Sequence, residues 1–207
     1  MKEEKTFKEI YLKPNYAPWT FKKIPKKINQ IIKIIPKKSK ILEVGCGEGN
    51  HSIYLAKKGF DVIAIDSSKN AIEFAKKKIK KKFKIKFLCK DYSKVSQYKE
   101  KFDFIFDWRF LHEIKTKNER KKYIDSISNA LKDEGKYLTV AFSGDSNFMG
   151  TGKLRTSPAG IKIYFATLKE TEKLVKTKFK ILNSRHIILP QKPKLKILGN
   201  YVLSIKK

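Results

Sequence analysis

Three glycines at alternate positions, Gly45, Gly47 and Gly49, follow the apolar run "KILEV" (40–44) with its acidic residue Glu43. Bare main chain at a strand-to-helix turn lets a ligand approach the backbone closely, in the crevice beyond the carboxyl ends of the strands. A phosphate-binding loop of the form G-x-x-x-x-G-K-[ST] is excluded, because these glycines are too tightly spaced and no Lys-Ser or Lys-Thr pair follows. A dinucleotide fingerprint, G-x-G-x-x-G, counted from Gly45 and Gly47, meets Asn50 in its third place, which weakens a nicotinamide or flavin reading without abolishing it. Asp66, 17 residues past Gly49 and at the end of "DVIAID" (61–66), is a carboxylate that can accept from two donors at once. It could also cap the next helix, a task that Ser67 or Ser68 can take over. Cys46 reads as a small filler of the loop.

Those residues need elements to hold them. Strand-like and helix-like stretches alternate from residue 40 to about 142, the mark of a parallel sheet covered on both faces. "KILEV" and "DVIAID" are the first two strands, "KIKFLCKD" (84–91) the third, "KFDFIFDW" (101–108) the fourth and "EGKYLTVAF" (134–142) the fifth. Between them, "NHSIYLAKKG" gives a helix stopped by Gly59, and Ala71, Ile72, Ala75 and Ile79 form a helical stripe backed by lysines. Thr116 with Glu119, and Thr167 with Glu170, are capping boxes; the first opens a helix carrying Tyr123, Ile124, Ile127 and Leu131. "FKILNSRHIIL" and "LKILGNYVLSIK" read as a terminal antiparallel pair. Before the core, a stretch rich in proline and aromatics leads into a helix with Ile28, Ile31, Ile32 and Ile35. After the fifth strand, residues 143–166 form a long glycine-rich segment, of the length expected of a lid or of a surface excursion.

Composition bounds the rest. A chain of 207 residues fits one domain, and no apolar run approaches the ~20 residues that cross a bilayer. Two cysteines, one inside the glycine loop, fit a reducing compartment without disulfides, and the start of the chain lacks the pattern of a signal peptide, so a cytoplasmic protein is expected. The formal charge of +29 is almost all lysine, with four arginines, Arg109, Arg120, Arg155 and Arg185. Recognition of phosphate and bases favours the planar fork of arginine, so this texture fits a solvated surface better than specific nucleic-acid binding. Weak, non-specific binding of polyanions is expected either way. Neither a metal nor a membrane partner is expected.

The pattern E-x-G-x-G-x-G after a strand, with Asp66 closing the next, resembles the class I S-adenosylmethionine-dependent methyltransferases over residues 38–142. The resemblance implies an α/β, doubly wound, mostly parallel seven-stranded sheet with an antiparallel C-terminal strand pair. It implies that Glu43, Gly45, Cys46, Gly47 and Gly49 pass beneath the methionine and ribose of the cofactor. Asp66, with Ser67, would then hold the ribose hydroxyls; Asp91, with Tyr92, would face the adenine amino group; and Asp107 and Trp108 would lie near the methionine moiety and the acceptor. Trp19, Trp108 and Phe110 could stabilise the sulfonium cation through their ring faces. His112 is a candidate general base, and Arg109 could hold an anionic acceptor.

"APWTFKKIP" and "FDFIFDWRFLHEI" resemble the thiopurine, thiol and halide branch of that family, whose amino-terminal segment folds over the cofactor. On this reading residues 1–207 form one domain. Residues 1–37 cover the cofactor or substrate, 38–142 bind the cofactor, 143–166 form a lid bearing Phe148, Arg155, Tyr164 and Phe165, and 167–207 supply the last helix and strand pair. The expected reaction is methyl transfer to a small molecule, a thiol or another soft nucleophile. An RNA or protein methyltransferase and a non-catalytic cofactor-binding or partner-activating subunit are the alternatives.

Overall fold

In a computed structural model the described residues are 10–12, 14, 17, 24–80, 82–191 and 195–207. Helix α1 (Lys26–Ile34) precedes β1 (Lys40–Val44), after which α2 (Asn50–Lys57), β2 (Asp61–Asp66), α3 (Lys69–Lys77) and β3 (Ile85–Cys89) alternate. A short 3-10 turn, Tyr92–Gln97, leads to β4 (Phe102–Trp108), and a second one, Leu111–Glu113, leads to α4 (Lys117–Ala130) and β5 (Leu131–Phe142). The small strands β6 (Leu154–Thr156) and β7 (Lys162–Tyr164), helix α5 (Leu168–Val175) and the long strands β8 (Phe179–Gln191) and β9 (Leu195–Lys206) complete the chain.

Seven strands form one sheet in the order β3-β2-β1-β4-β5-β9-β8. The first five run parallel, β9 is antiparallel to β5, and β8 is antiparallel to β9, as the alternation in the sequence implies. Successive residues of a strand face opposite sides of a sheet. Ile41 accordingly packs with α1 and α2 residues Ile28 and Leu55, whereas Leu42 and Val44 pack with Ile124 and Ile127 of α4. Both faces are covered, so the inner strands read as unbroken apolar runs. Strand order reverses between β1 and β4, and the loops at their carboxyl ends diverge there to open a crevice.

Local boundaries differ in instructive ways. Helix α4 stops at Ala130, and Leu131 is already extended (φ −81, ψ 141), pairing with Phe102 as the first residue of β5. Ile79 lies beyond the end of α3 yet still packs on its cluster. Thr167 makes a reciprocal capping box, its hydroxyl accepting from Glu170 N and its own N–H donating to Glu170 Oε2; Thr116 Oγ1 accepts from Glu119 N and donates to Glu119 Oε2 (2.6 Å). The segment 143–166 contains the β6–β7 hairpin. Its ends are tied where Gly144 N donates to Ala166 O (2.7 Å), and Ile161, Ile163 and Phe165 alternate inward to a buried position.

Within the described residues no helix is long and apolar enough to cross a membrane. Both cysteines are free, Cys46 buried and Cys89 exposed.

Candidate active site

A cavity of about 340 Å³ lies at the carboxyl ends of β1, β2 and β4 and is lined by the glycine loop. Four sets of bonds fix that loop. The Glu43 carboxylate, before it, meets His51 Nδ1 (3.1 Å) and accepts a short bond from Ser52 Oγ, both in the first turn of α2, and so brackets the loop from end to end. Asp66 Oδ2 accepts from Gly47 N (2.8 Å), and Asp66 Oδ1 from Ser68 N (2.8 Å), which orients the carboxylate at the cavity wall. Lys78, just past α3, donates to Glu48 Oε2 (2.7 Å) and Asn50 Oδ1 (3.0 Å). Finally, Cys46 N donates to Ile65 O (3.0 Å), carrying the parallel pairing of β1 and β2 one residue further.

The glycines have separate tasks. Gly45 and Gly47 line the cavity with φ of +68° and +52°, and a Cβ at Gly47 would lie 2.6 Å from the Tyr11 hydroxyl. Gly49, expected at the ligand, is not in the lining. Its missing side chain makes room for Phe87 and Ala75, so it serves the packing of α2 against β3 and α3. Ser68 caps α3 by accepting from Ala71 N (3.3 Å), which releases Asp66 from that role.

Of the residues singled out from sequence, the structure brings Glu43, Gly45, Cys46, Gly47, Asp66, Ser67, Asp91, Tyr92, Trp108, Arg109 and Phe110 to the cavity. Trp19 lies outside the described residues. The Cys46 thiol is pushed well up by burial and then by Asp66 and Glu43, as befits a filler and not a nucleophile. Arg109 has left-handed backbone (φ 67°), its N–H donates to Val140 O (2.6 Å), and its guanidinium lies 5.0 Å from the Phe142 ring centroid. Burial lowers its pKa to about 10, so it stays charged at neutral pH.

Asp107 and His112 lie outside the lining. Asp107 is fully buried and absent from the cavity lining: Oδ2 accepts from Tyr137 OH (2.6 Å) and Tyr123 OH (3.1 Å), and Oδ1 from Thr139 Oγ1 (2.7 Å). Burial raises its pKa to about 6 against the pull of those three hydroxyls. His112 is also buried outside the lining, with Nδ1 accepting from Phe142 N (3.3 Å) and the ring stacked on Phe142 at 4.2 Å. Burial, reinforced by Arg109 and Arg120, holds its pKa well below the usual range and keeps the ring neutral. Neither side chain is part of the cavity lining. The four residues assigned to a lid are likewise absent from the lining. Arg155 binds the carbonyls of Ser146 (2.5 Å), Phe148 (2.9 Å) and Gly152 (3.0 Å) and lies over Phe165, while Tyr164 lies under Arg120 and Phe148 packs edge-on against Phe142.

Sequence reasoning missed Tyr11, Ile24, Pro25, Glu48, Asn50, His51, Lys90, Glu113 and Leu189. Ile24, Pro25 and Leu189 join Trp108 and Phe110 in an apolar wall. Against the lysine-rich surface, the described lining holds five carboxyls, Glu43, Glu48, Asp66, Asp91 and Glu113, and two permanent cations, Lys90 and Arg109. Such a lining disfavours phosphate and favours a cation with hydroxyls, the chemistry of an adenosyl sulfonium. Aromatic faces at Trp108, Phe110 and Tyr92 suit the same group.

A family model described as "Methyltransferase domain" matches residues 41–135. YqeM of Bacillus subtilis, a protein named for methyltransferase activity, is 36% identical over 102 residues, which span 49% of this chain and 41% of that one. A Schizosaccharomyces pombe protein named an uncharacterized methyltransferase is 30% identical over 104 residues, 50% of this chain and 71% of its own. The chain thus spans less than half the length of the first relative and about two thirds of the second. Among solved structures, a methyltransferase from Methanosarcina mazei, named as S-adenosylmethionine-dependent, superposes with a TM-score of 0.75 at 24% identity, covering 85% of this chain and 96% of that one. The 1,6-didemethyltoxoflavin-N1-methyltransferase of Burkholderia thailandensis, solved with its substrate and S-adenosylhomocysteine, gives 0.69 at 18% identity over 88% and 76% of the two chains. These last two likenesses are of fold.

Proposed function

The chain belongs to the class I S-adenosylmethionine-dependent methyltransferases, and from that premise we propose that it methylates a small-molecule acceptor, a thiol or another soft nucleophile. The observation that carries this reading is the acid-rich cavity whose glycine loop is pinned by Asp66. When bound, S-adenosylmethionine supplies an activated methyl group for in-line displacement. Asp66 would accept from the ribose hydroxyls and Asp91 from the adenine amino group, with Tyr92 and Ser67 beside them. Gly45 and Gly47, on the cavity wall, would pass beneath the methionyl-ribose part, and Trp108 and Phe110 would present ring faces to the sulfonium.

For an in-line displacement with a good leaving group, alignment and exclusion of water supply much of the rate. The apolar wall of Trp108, Phe110, Ile24 and Leu189 would exclude water, and Arg109 would orient an anionic group on the acceptor. A soft nucleophile fits a site whose expected base, His112, is buried away from the cavity and held neutral. The apolar wall supports a small acceptor, as does the 1,6-didemethyltoxoflavin named with the Burkholderia enzyme. Free cysteines suit the reducing cytoplasm in which we place the protein.

The charge of +29 favours a second reading, in which the acceptor is RNA. Five carboxyls around the cavity would repel a phosphate backbone at the point of entry, which ranks it below the first. Transfer of label from the cofactor into a panel of thiols, nitrogen heterocycles, RNA and protein tests both. Labelled thiol or heterocycle is expected; incorporation into RNA alone would overturn the small-molecule reading.

A further inference from the structure

The positive charge is not spread evenly over the fold. Helices α1, α2 and α3 cover one face of the sheet and hold one acid between them, Glu73, whereas α4 and α5 on the other face hold four, Glu119, Asp125, Glu170 and Glu172. Three of those four are ion-paired, Glu170 with Lys153 (2.5 Å), Glu172 with Lys176 (3.7 Å) and Asp125 with Lys178 (3.5 Å). The segregation sharpens where the first three helices return to the sheet. The loops 35–39, 58–60 and 78–84, which lead into β1, β2 and β3, contain no acid and expose Lys37, Lys38, Lys58, Lys80, Lys82 and Lys84. Among the described residues none of these six makes an ion pair. Because β1, β2 and β3 are neighbours in the sheet, with strands ~4.8 Å apart, the loops lie side by side as one basic strip. Where β4 and β5 begin, the same rim is mixed: Asp103 pairs with Lys132 (2.8 Å) and Asp133 with Lys206 (3.3 Å).

A lysine-biased composition alone would mix acids into both faces alike. Like charges left unneutralised in adjacent loops repel one another, and a bound polyanion removes that repulsion. In these loops Ile35 and Phe60 are buried and Ile79 and Phe83 pack on the core, so no large apolar side chain is exposed to enter a bilayer interface. Lysine without arginine meets phosphate as a point charge and reads no base. The strip lies at the amino ends of the strands and the cavity at the carboxyl ends, so the five residues of β1 stand between them, a span of roughly 16 Å.

We propose that the loops before β1, β2 and β3 form a docking strip for nucleic acid, held by its phosphates without regard to sequence, at the end of the sheet remote from the cavity. The strand bound there anchors the protein and is not its methyl acceptor. Such docking gives the charge of +29 a partner while the acid-rich cavity stays open to a small molecule, and it does not depend on what the cavity binds.

Fluorescence anisotropy of a labelled oligouridylate, titrated with the full chain at rising salt, tests this. One variant combines Lys37→Gln, Lys58→Gln, Lys80→Gln and Lys84→Gln; the other combines Lys117→Gln, Lys121→Gln, Lys122→Gln and Lys169→Gln, which removes the same charge from exposed positions of α4 and α5. The first should weaken binding about ten-fold or more and lower the slope of log affinity against log salt by roughly 2 to 3, at ~0.7 for each lost phosphate contact. The second should lose less than about two-fold, because charges more than ~10 Å from the strand are screened. The strip variant loses no ion pair and should melt near the wild type, and the single reversals Lys58→Glu and Lys121→Glu repeat the comparison with less disturbance. Equal losses in the two fourfold variants, displacement of S-adenosylmethionine by the oligouridylate, or capture by phosphatidylserine vesicles without binding of RNA would overturn the strip. If S-adenosylmethionine does not bind at all, the methyl-donor reading falls and the anisotropy comparison still decides.

Discussion

His51 Nδ1 lies 3.1 Å from Glu43 Oε1, so a residue on the first turn of α2 grips a buried carboxylate on β1 across the whole glycine loop. Replacing His51 by Ala leaves that carboxylate with Ser52 as its remaining bonded partner. The expected loss is about 1 to 3 kcal/mol of stability, the cost of stranding a buried acceptor, together with weaker binding of S-adenosylmethionine as the loop loosens. Urea denaturation and calorimetry check the two halves, and His51→Gln, which can still donate, should lose less of each.

Asp66→Ala should weaken S-adenosylmethionine binding by ~1.5 to 3 kcal/mol, the range for a charged hydrogen bond. The change also removes the acceptor of Gly47 N, so part of the loss is misplacement of the loop. Asp66→Asn separates the two contributions, since an amide oxygen can still accept from Gly47 N while the charge is gone. Affinity at the level of the wild type in Asp66→Ala would remove the carboxylate from the ribose site.

Gly47→Ala and Gly49→Ala should part company. Both positions have positive φ, which costs an alanine about 1 to 2 kcal/mol. At Gly49 the new methyl also meets Phe87 at 2.4 Å and Ala75 at 3.0 Å, in the middle of a packed layer, whereas at Gly47 it meets only the hydroxyl end of Tyr11. A larger fall in melting temperature is therefore expected for Gly49→Ala, and a larger fall in cofactor affinity relative to stability for Gly47→Ala.

Asp107, raised to about 6 in the folded protein, gives a pH signature of definite sign. A carboxyl whose pKa is higher folded than unfolded, near 3.9, leaves the native state holding more protons between those values. Stability from this group therefore falls as pH rises from about 4 to about 6 and is flat above, by up to ~3 kcal/mol. Asp107→Asn keeps an acceptor for Tyr137 and Thr139 and should flatten that limb in urea titrations. A difference between the two proteins that does not vary with pH would contradict the assignment.

Arg155 distinguishes a packed hairpin from a moving lid. Its side chain binds three carbonyls of the 143–166 segment and covers Phe165. Arg155→Ala should cost roughly 2 to 3 kcal/mol, the cost of hydrogen bonds to a charged group lost in a buried place. Calorimetric affinity for S-adenosylmethionine should stay near that of the wild type, because no part of Arg155 lines the cavity.

The contrast between what the sequence reveals and what it hides follows the range of each interaction. Strands β1, β2 and β4 are legible because burial on both faces demands apolar runs, and the loop is legible because Gly45 and Gly47 need backbone that other residues avoid. Asp66 could be read because a strand-end carboxylate has a local geometry. Asp107 looked equivalent. Its partners Tyr123, Tyr137 and Thr139 arrive from α4 and β5, and the register that sets Asp107 opposite Thr139 is a tertiary fact; the one hint is that Tyr137 and Thr139 share a face of β5. His51, Glu113, Tyr11 and Leu189 reach the cavity from separate elements and carry no motif. The glycines at 144, 150, 152 and 160 suggested openness where the alternation of Ile161, Ile163 and Phe165 fixes the segment down.

Leu189 lines the cavity from β8, and on the neighbouring strand Gly199 gives it space: a Cβ there would lie 2.5 Å from Leu189 Cδ1. Any bulk at position 199 must displace that leucine. The bore of the apolar end is thus governed from the far margin of the sheet, and substitutions at 189 and 199 can retune it while the glycine loop, on the other strands, stays untouched.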